Sequence, residues 1–451
     1  MKIGKGKKGS LFLLAWMWVL GLQAQQNPPA AIHSFSLQQA LDYAEQHNVQ
    51  VKNALLDIQI QRETNREFTG SAYPHLSAGG SLVYNAKLPV SLVPAEFIGG
   101  QPGEFLKLAF GVNWGATGGV TLNQLVFDGQ VFVGLQARRT LMEFQEKQAE
   151  ITEETIRANI YKIYYQLVAA KTQIELLDVN IDLLNKLQHD TRVMHENGFA
   201  EKLDLDKMTV QLVNLQTEKT GALNQIANGY LGLKVLMGMP VRDSLILTDS
   251  ISDEKIKDGI LEMEDFDYRQ RKDFQYADLG ITLAEYDVRR YKLSKLPTLS
   301  LNGYYNYNAQ RQKFDFLKKG DWFDISAITL QLNVPLFTGF SANARIAKAK
   351  LSLQQSLNQR EALKISINSE IETARNNFNS AVATLDYQKK NMQLAETVFQ
   401  QTKKKFEVGM GSNTEITQAH TDLKAAQTNY INALYSAIIA RVDYEKARGN
   451  L

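Results

Sequence analysis

The chain has 451 residues, of which 44% are hydrophobic and 22% charged, so its composition is that of an ordinary folded protein. The formal net charge of +2 argues against nucleic acid as a partner, because no polybasic surface is available to neutralise phosphates. The absence of cysteine excludes disulfides and lipid attachment at a cysteine, so any attachment to a membrane must come from the fold.

The first residues have the pattern of an export signal. Basic residues from Lys2 to Lys8 precede an apolar stretch over 11–22, and the small Ala24 follows before a polar run. The apolar stretch is too short for a transmembrane helix, which needs about 20 residues, and no later segment supplies one. We therefore predict a signal peptide over 1–24 and a mature chain that leaves the cytoplasm without a transmembrane helix.

The mature chain contains two copies of one unit. Gly80 corresponds to Gly303 and Gly198 to Gly409, within longer runs of matching residues. The distance between the copies falls from 223 to 210 places between about 85 and 113, where one surface loop is longer in the first copy, and it is 211 places along the later helices. We predict a first repeat over 25–240, a connecting segment over 241–268 and a second repeat over 269–451.

Each copy begins with a helical stretch, and two segments with a period of two follow it. In the first copy, Ser36 with Gln39 three residues later predicts a capping box at the start of the helix. Mostly apolar residues then occupy every second position from 110 to 122 and again from 328 to 336, which is typical of β-strands. The predicted strands lie at about 75–87 and 108–127 in the first copy and at about 297–309 and 322–337 in the second.

Two tryptophans mark equivalent ends of the predicted strands. Trp114 and Trp322 occupy the positions that an aromatic girdle at a membrane surface requires. Alternation by itself also fits the half-buried strands of a soluble β-sandwich, so the strands alone leave both interpretations open.

A helical pattern follows each pair of strands and is far longer than a small sandwich would carry. Ile160, Leu167 and Ile174 recur every seven places, and alanines from Ala419 to Ala447 do the same in the second copy. The spacing predicts helical hairpins over about 129–238 and 339–448, with first limbs about 100 Å long. We interpret these seven-residue repeats as the contact stripes of coiled-coil packing.

The predicted strands require more than one copy of the chain. A sheet in a bilayer must close into a barrel to satisfy its edge hydrogen bonds, and the smallest single-chain barrels have about eight strands. Since this chain offers four strands, closure needs several copies. The long heptad hairpins also need partners, and a tunnel is the simplest object that satisfies both requirements.

With these features the chain resembles the TolC family of bacterial outer-membrane efflux proteins over nearly the whole mature length. The resemblance rests on the duplicated plan, on residues 73–76 and 296–299 at the first strand of each copy, on residues 334–339, and on Val408 and Gly409 followed by Glu415, Ile416 and Ala419. It implies an α+β membrane protein: a homotrimer with a 12-stranded β-barrel in the outer membrane and a helical barrel across the periplasm. Its implied partners are outer-membrane lipid, a periplasmic adaptor and an inner-membrane pump that delivers substrates for efflux or type I secretion.

The resemblance also implies a gate at the hairpin tips. The first acidic residue of the family's constriction falls on Glu415, whereas the second falls on the uncharged Gln418. An aspartate that helps to hold the closed state matches Asp204, but its tyrosine partner is Phe406 here, and an arginine of the lock is replaced by Gly411. We expect the gate and pore lining to comprise Glu415, Gln418, Asp204, Asp206 and Phe406.

Each of these tip assignments has a local alternative. Ser412 followed by Glu415 also fits a capping box, and acidic residues in a first helical turn suit the helix dipole. Asp204 and Asp206 have the same alternative. The tip turns resemble the places where the family docks its adaptor, but glycine is also required there by turn geometry alone. The predicted docking residues are Gly198, Phe199, Gly409, Met410 and Gly411.

No catalytic or metal-binding motif is visible in the mature chain. The six histidines include His189 and His195, which are six places apart rather than the four that would place both on one helical face. His195 occupies the seam position equivalent to Phe406, so packing accounts for it. We predict no enzyme activity, no cofactor and no metal. The alternative from another class is an exported periplasmic or surface coiled-coil scaffold or adhesin, which would share the signal peptide and heptads but not the matched strands.

Overall fold

A computed structural model describes residues 31–251, 266–316 and 320–451. The predicted signal peptide lies outside the described residues, as do positions 252–265 of the predicted connecting segment. None of the helices in the described ranges has an apolar stretch long enough to cross a membrane. The α-helices of these ranges are α1 Leu37–His47, α2 Val49–Gly70, α3 Gly129–Glu196, α4 Lys202–Met237, α5 Lys272–Leu293, α6 Ser341–Glu407 and α7 Asn413–Arg448.

The strands of the described ranges form three small sheets. A parallel pair near the middle of the molecule joins β1 Ile32–Phe35 to β6 Ser244–Leu247. A four-stranded antiparallel sheet has the order β2-β5-β7-β8, so the two copies meet at the β5–β7 pair. The remaining strands are β2 His75–Tyr84, β3 Val90–Pro94, β4 Phe105–Ala109, β5 Trp114–Phe127, β7 Thr298–Arg311 and β8 Phe323–Asn333.

The longer loop of the first copy is an additional hairpin, β3–β4. Beyond the Tyr84–Trp114 pair the two chain segments stay close, because the Asn85 N–H donates to the Asn113 carbonyl at 2.7 Å. Pairing then resumes at Val90 and Ala109. The prediction of one strand over 75–87 is therefore wrong at its end, because β2 ends at Tyr84. The predicted strand over 108–127 is wrong at its start, because β5 begins at Trp114 and β4 ends at Ala109. Gly111 lies there with φ 112°, a conformation that interrupts a regular strand.

The second strand pair also ends differently from its prediction. β8 stops at Asn333 rather than at about 337. Pro335 follows, and proline has no N–H to donate to a neighbouring strand. β7 instead continues to Arg311, two residues beyond its predicted end. The predicted capping box at α1 is confirmed, since both reciprocal bonds between Ser36 and Gln39 form.

The long helices form two antiparallel hairpins, α3–α4 and α6–α7. Helix α3 packs against both α4 and α7, and α7 packs against α6, so the four helices lie in the order α4-α3-α7-α6. Apolar side chains fill the interface in separate clusters along its length, one near the middle of the molecule, one around Phe378 and Leu385, and one near the hairpin tips.

The duplication is visible in how each return helix is anchored at its end. Asn48 donates through Nδ2 to the Leu236 carbonyl at 2.5 Å, and Arg271 donates through Nη1 to the Ala447 carbonyl at 2.8 Å. These are equivalent positions in the two copies under the shifts read from the sequence. Both side chains satisfy a carbonyl that the last helical turn leaves free.

Candidate functional site

The candidate site is the tip of the molecule, where both hairpins turn. The turn from α3 to α4 contains Gly198 at φ 80°, and the turn from α6 to α7 contains Gly409 at φ 76°. An added Cβ would meet nothing within 4 Å at either glycine, so the backbone conformation rather than lack of space requires glycine. The two turns are therefore built in the same way.

Apolar side chains from both hairpins form the tip core. The cluster includes Leu184 of α3, Met208 of α4 and Ile416 of α7, together with Phe406 of α6. Phe406 is only 7% exposed, so its ring packs inside the protomer and can influence a gate only through that packing. His195, at the equivalent position of the first copy, is half-buried and its Nδ1 lies 2.9 Å from the Ala200 carbonyl, across the turn.

Polar contacts tie the first hairpin to the second near the tip. Asn413 donates through Nδ2 to the backbone carbonyl of Asp204 at 3.3 Å, so the predicted aspartate contributes its backbone rather than its carboxylate. One turn further, the Thr417 hydroxyl lies 3.8 Å from the Met208 sulfur. Lys424 of α7 forms an ion pair with Glu218 of α4. Near the tip, α4 therefore contacts α7 directly as well as through α3.

The predicted acidic residues are presented at different depths. Glu415 is exposed; its N–H donates to the Ser412 hydroxyl at 3.2 Å, and the structure gives this cap without the reciprocal bond that completes a capping box. Helix capping therefore accounts for the backbone of Glu415 but not for its carboxylate. Gln418 and Asp206 are exposed, whereas Asp204 is half-buried. The Gln418 amide donates to Asp422 at 2.8 Å.

The tip turns present large apolar side chains to solvent. Phe199 is 85% exposed and Met410 is 78% exposed, and Val408 lies close to Met410 in the same turn. Gly411 is half-buried, and an added Cβ there would lie 3.0 Å from the backbone nitrogen of Phe406. Exposed aromatic and methionine side chains on two adjacent turns are typical of a protein-binding surface.

A buried histidine at the tip has no counterpart among the residues predicted from the sequence. His420 of α7 is 3% exposed, its ring lies 6.0 Å from that of Phe399, and its Nε2 has no hydrogen-bond partner among the described residues. Burial, with Lys424 one turn away, lowers the pKa of His420 to about 4. The comparison of the copies could have found it, because Phe399 and His420 replace Gln188 and Thr209.

The tip offers nothing to hold a metal ion. In the ranges that the structure describes, no three histidine, aspartate or glutamate side chains are placed to bind one.

Aromatic side chains cluster at the opposite end of the molecule, where the four-stranded sheet meets its loops. Trp114 lies 4.7 Å from Tyr84 and 5.1 Å from Phe314, measured between ring centroids. Trp322 lies 6.2 Å from Phe316. The two predicted girdle residues are thus at the same end of the sheet, each in a group of aromatic rings.

A repeated unit of two long strands and a helical hairpin, with aromatic groups at one end and apolar turns at the other, is the architecture expected of one protomer of an outer-membrane channel. A sequence profile of the outer membrane efflux protein family matches residues 268–450. The chain is 20% identical to outer membrane protein TolC of Vibrio cholerae over 334 residues, which is 74% of this chain and 76% of that protein.

Other relatives cover more of the chain. It is 22% identical over 437 residues to the probable efflux pump outer membrane protein TtgC of Pseudomonas putida, covering 94% of this chain and 85% of that one. Among solved structures, CusC aligns with a TM-score of 0.74 at 15% identity, over 95% of this chain and 96% of that chain. The outer membrane protein VceC from Vibrio cholerae aligns with a TM-score of 0.70 at 16% identity, over 92% and 96%.

The second half of the chain thus matches the outer membrane efflux protein family, and nearly the whole chain is similar in sequence and fold to proteins of the TolC type. This confirms the predicted family, fold class and outer-membrane location. The members of this family are channel proteins rather than enzymes.

Proposed function

We propose that the protein is the outer-membrane exit duct of a tripartite efflux or type I secretion system. In this role it receives substrates from an inner-membrane transporter through a periplasmic adaptor and passes them to the exterior. The names of its relatives, which include efflux pump outer membrane proteins, support this role. The repeat boundaries at 25–240 and 269–451 remain part of the proposal.

The observation that carries the proposal is the open four-stranded sheet. Its edge strands, β2 and β8, run in opposite directions, because each step of the order β2-β5-β7-β8 is antiparallel. An edge β8 can therefore pair with the β2 of a second copy without breaking the antiparallel alternation. Three copies give a closed ring of 12 strands, which satisfies every edge hydrogen bond in a bilayer.

The helices support the same assembly. Helices α4 and α6 lie at the two edges of the helical layer and keep large apolar side chains exposed. Pairing the α4 edge of one copy with the α6 edge of the next would bury both. The exposed apolar residues are Leu203, Val210, Val213, Leu223, Leu231 and Val235 on α4 and Leu351, Ile365, Tyr387, Leu394 and Val398 on α6.

The tip supplies the gate and the docking surface of this duct. Glu415, Gln418, Asp206 and Asp204 would line the narrow end, and Phe406 would support it from within. Repeated around three copies, the exposed Glu415 carboxylates attract cations. Adaptor binding is assigned to the two turns, Gly198 with Phe199 and Gly409 with Met410 and Gly411, because their apolar side chains have no cover in the protomer.

The girdle assignment of Trp114 and Trp322 is part of the same proposal. Both rings lie at one end of the sheet, at the level where a barrel meets the outer surface of the bilayer. Outer-membrane lipid is then the partner of the apolar sheet face.

Cross-linking in the cell envelope tests the proposed docking. A photo-cross-linking residue at Met410 should capture a periplasmic adaptor. The control is the same residue at Phe97, which is 82% exposed and lies between β3 and β4, beyond the aromatic end of the sheet. Equal capture from both positions, or capture of no envelope protein from Met410, would contradict the proposal. The purified protein should also require detergent and migrate as a heat-sensitive trimer.

A further inference from the structure

The register of the four-stranded sheet separates its side chains into two faces. Because paired residues of antiparallel strands point to the same side, the face that contains Trp114 can be followed across all four strands. This face, called here the apolar face, is defined by Leu76, Ala78, Leu82 and Tyr84 of β2, Trp114, Ala116, Val120 and Leu122 of β5, Leu299, Leu301, Tyr305 and Tyr307 of β7, and Ile328, Leu330 and Leu332 of β8.

The opposite face, called here the polar face, consists mainly of hydroxyl and amide side chains. Two of its contacts join neighbouring strands: the Thr117 hydroxyl donates to Asn308 at 2.8 Å, and the Asn302 amide donates to Gln331 at 3.4 Å. The polar face is defined by His75, Ser77 and Ser81 of β2, Thr117, Thr121 and Asn123 of β5, Asn302, Tyr304, Asn306 and Asn308 of β7, and Thr329, Gln331 and Asn333 of β8.

The polar face contains no aspartate, glutamate, lysine or arginine in the described strands. The other positions on this side of the described strands are glycine, alanine, further hydroxyl or amide residues, and the apolar Val83, Leu125, Phe323 and Ile325. The sheet does contain Asp324 and Arg311, but both fall on the register of the apolar face, near its aromatic end. The absence of charge is therefore confined to one side of the sheet.

The apolar face must be the one that meets lipid. Leu76, Ile328 and Leu330 are exposed in the protomer, and hydrocarbon is the environment that covers them without cost. If the polar face met lipid instead, its amide and hydroxyl groups would lose water without gaining partners. The polar face therefore lines the lumen.

We infer that the strand-built part of the conduit has an uncharged amide and hydroxyl wall, so that it admits solutes of either charge, and that charge discrimination belongs to the hairpin tip. This inference rests on the proposed function. Amide and hydroxyl groups donate to and accept from water, cations and anions alike. At physiological salt, charges farther away than about 8 Å are largely screened, so the tip acids do not impose their sign on the distant barrel.

The natural absence of cysteine makes a direct test possible. Single cysteines are introduced on the polar face, as Ser77→Cys and Thr121→Cys, and on the apolar face of the same strands, as Ala78→Cys and Val120→Cys. A fifth variant, Gln418→Cys, places a thiol beside the tip acids. Each variant is first checked for the heat-sensitive oligomer, and two positions on each face ensure that one failed variant does not decide the result.

The oligomer in lipid vesicles is then treated with cationic and anionic thiosulfonates of similar size. Polar-face cysteines should react, with a cation-to-anion rate ratio within about threefold of that for free cysteine, because no local charge attracts either reagent. Apolar-face cysteines should be protected. The Gln418→Cys thiol should favour the cationic reagent by about tenfold or more.

The possible results separate the inference from the proposed function. A tenfold preference for either reagent on the polar face, or no preference at Gln418→Cys, would overturn the inference and leave the duct intact. Apolar-face cysteines that react as fast as those on the polar face would show that the sheet is not embedded in lipid. That result would contradict the proposed function itself.

Discussion

The two hairpins share one backbone plan but place different chemistry at equivalent positions near the tip. In the first copy, Gln188 donates to the Thr209 hydroxyl at 2.8 Å on the surface. In the second copy, the corresponding residues Phe399 and His420 are 2% and 3% exposed and their rings lie 6.0 Å apart. The repeat therefore determines the backbone fold of both hairpins. The side chains at equivalent positions determine that this surface is buried in the second hairpin and exposed in the first.

The largest difference between the two hairpins is expected at Phe406 and at its equivalent in the first copy, His195. Phe406→Ala should lower the free energy of unfolding by about 3–5 kcal/mol, because it empties a buried aromatic site. The matched change His195→Ala should cost about 1 kcal/mol, the value of one hydrogen bond in a half-buried turn. Urea unfolding of the detergent-solubilised protein, followed by circular dichroism, measures both. Equal losses would mean that the two tips are packed alike.

Acidification tests the buried histidine. Because the folded pKa of His420 is about 4 and the ordinary value is 6.5, the unfolded chain binds the proton more readily. The contribution of His420 to stability is therefore complete above pH 6.5 and falls as the pH drops towards 4, by up to about 3 kcal/mol.

The matched variants for this prediction come from the two copies. His420→Gln should flatten the dependence of unfolding free energy on pH over that window. Thr209→His places a histidine at the exposed equivalent position and should add no new dependence. A wild-type stability curve that does not change between pH 6.5 and 4 would count against the burial of His420.

The turn glycines should respond equally in the two copies. Gly198→Ala and Gly409→Ala each force a side chain into the left-handed region without creating a clash, so each should cost about 1 kcal/mol. The same urea titration measures the loss. A difference well above about 1 kcal/mol between them would show that one turn carries strain that the other lacks.

The smallest effect is expected from the exposed tip acid. Glu415→Gln should reduce the preference for cations in a planar bilayer by removing one carboxylate from each copy, while stability changes by less than about 0.5 kcal/mol. Gln418→Glu, one turn further along the same helix, should change the selectivity in the opposite direction. An unchanged reversal potential in both variants would remove Glu415 from the pore lining.

Much of the fold could be predicted because the chain is a repeat. The shift between the copies aligns position 48 with position 271, and both side chains bind the last turn of a return helix. Period-two alternation located the long strands but not their ends, since breaks such as Pro335 and Gly111 act through the hydrogen-bond ladder. The β3–β4 hairpin was expected only as extra length, because each of its strands has only 5 residues, too few for alternation to stand out.

The site was predictable only in part. The family resemblance singled out Glu415, and local glycine patterns located the tip turns, since the conformation of a turn depends on neighbouring residues. Spacing could not pair Asn413 with the Asp204 carbonyl, because they lie 209 places apart and the contact uses a backbone atom. The burial of His420 could not be predicted from its own helix, because the ring that packs beside it, Phe399, belongs to another helix.

The sequence by itself determined the two-copy plan, the periods that produce strands and hairpins, and the separation of polar from apolar residues along each strand. These are properties of residue spacing, which alternation and heptads encode locally. Only the tertiary structure decided which equivalent positions are buried. A heptad pattern predicts that a helix packs against a partner helix. The side chains of that partner determine that Phe406 is buried in the tip core, whereas the equivalent His195 is only half-buried beside the turn.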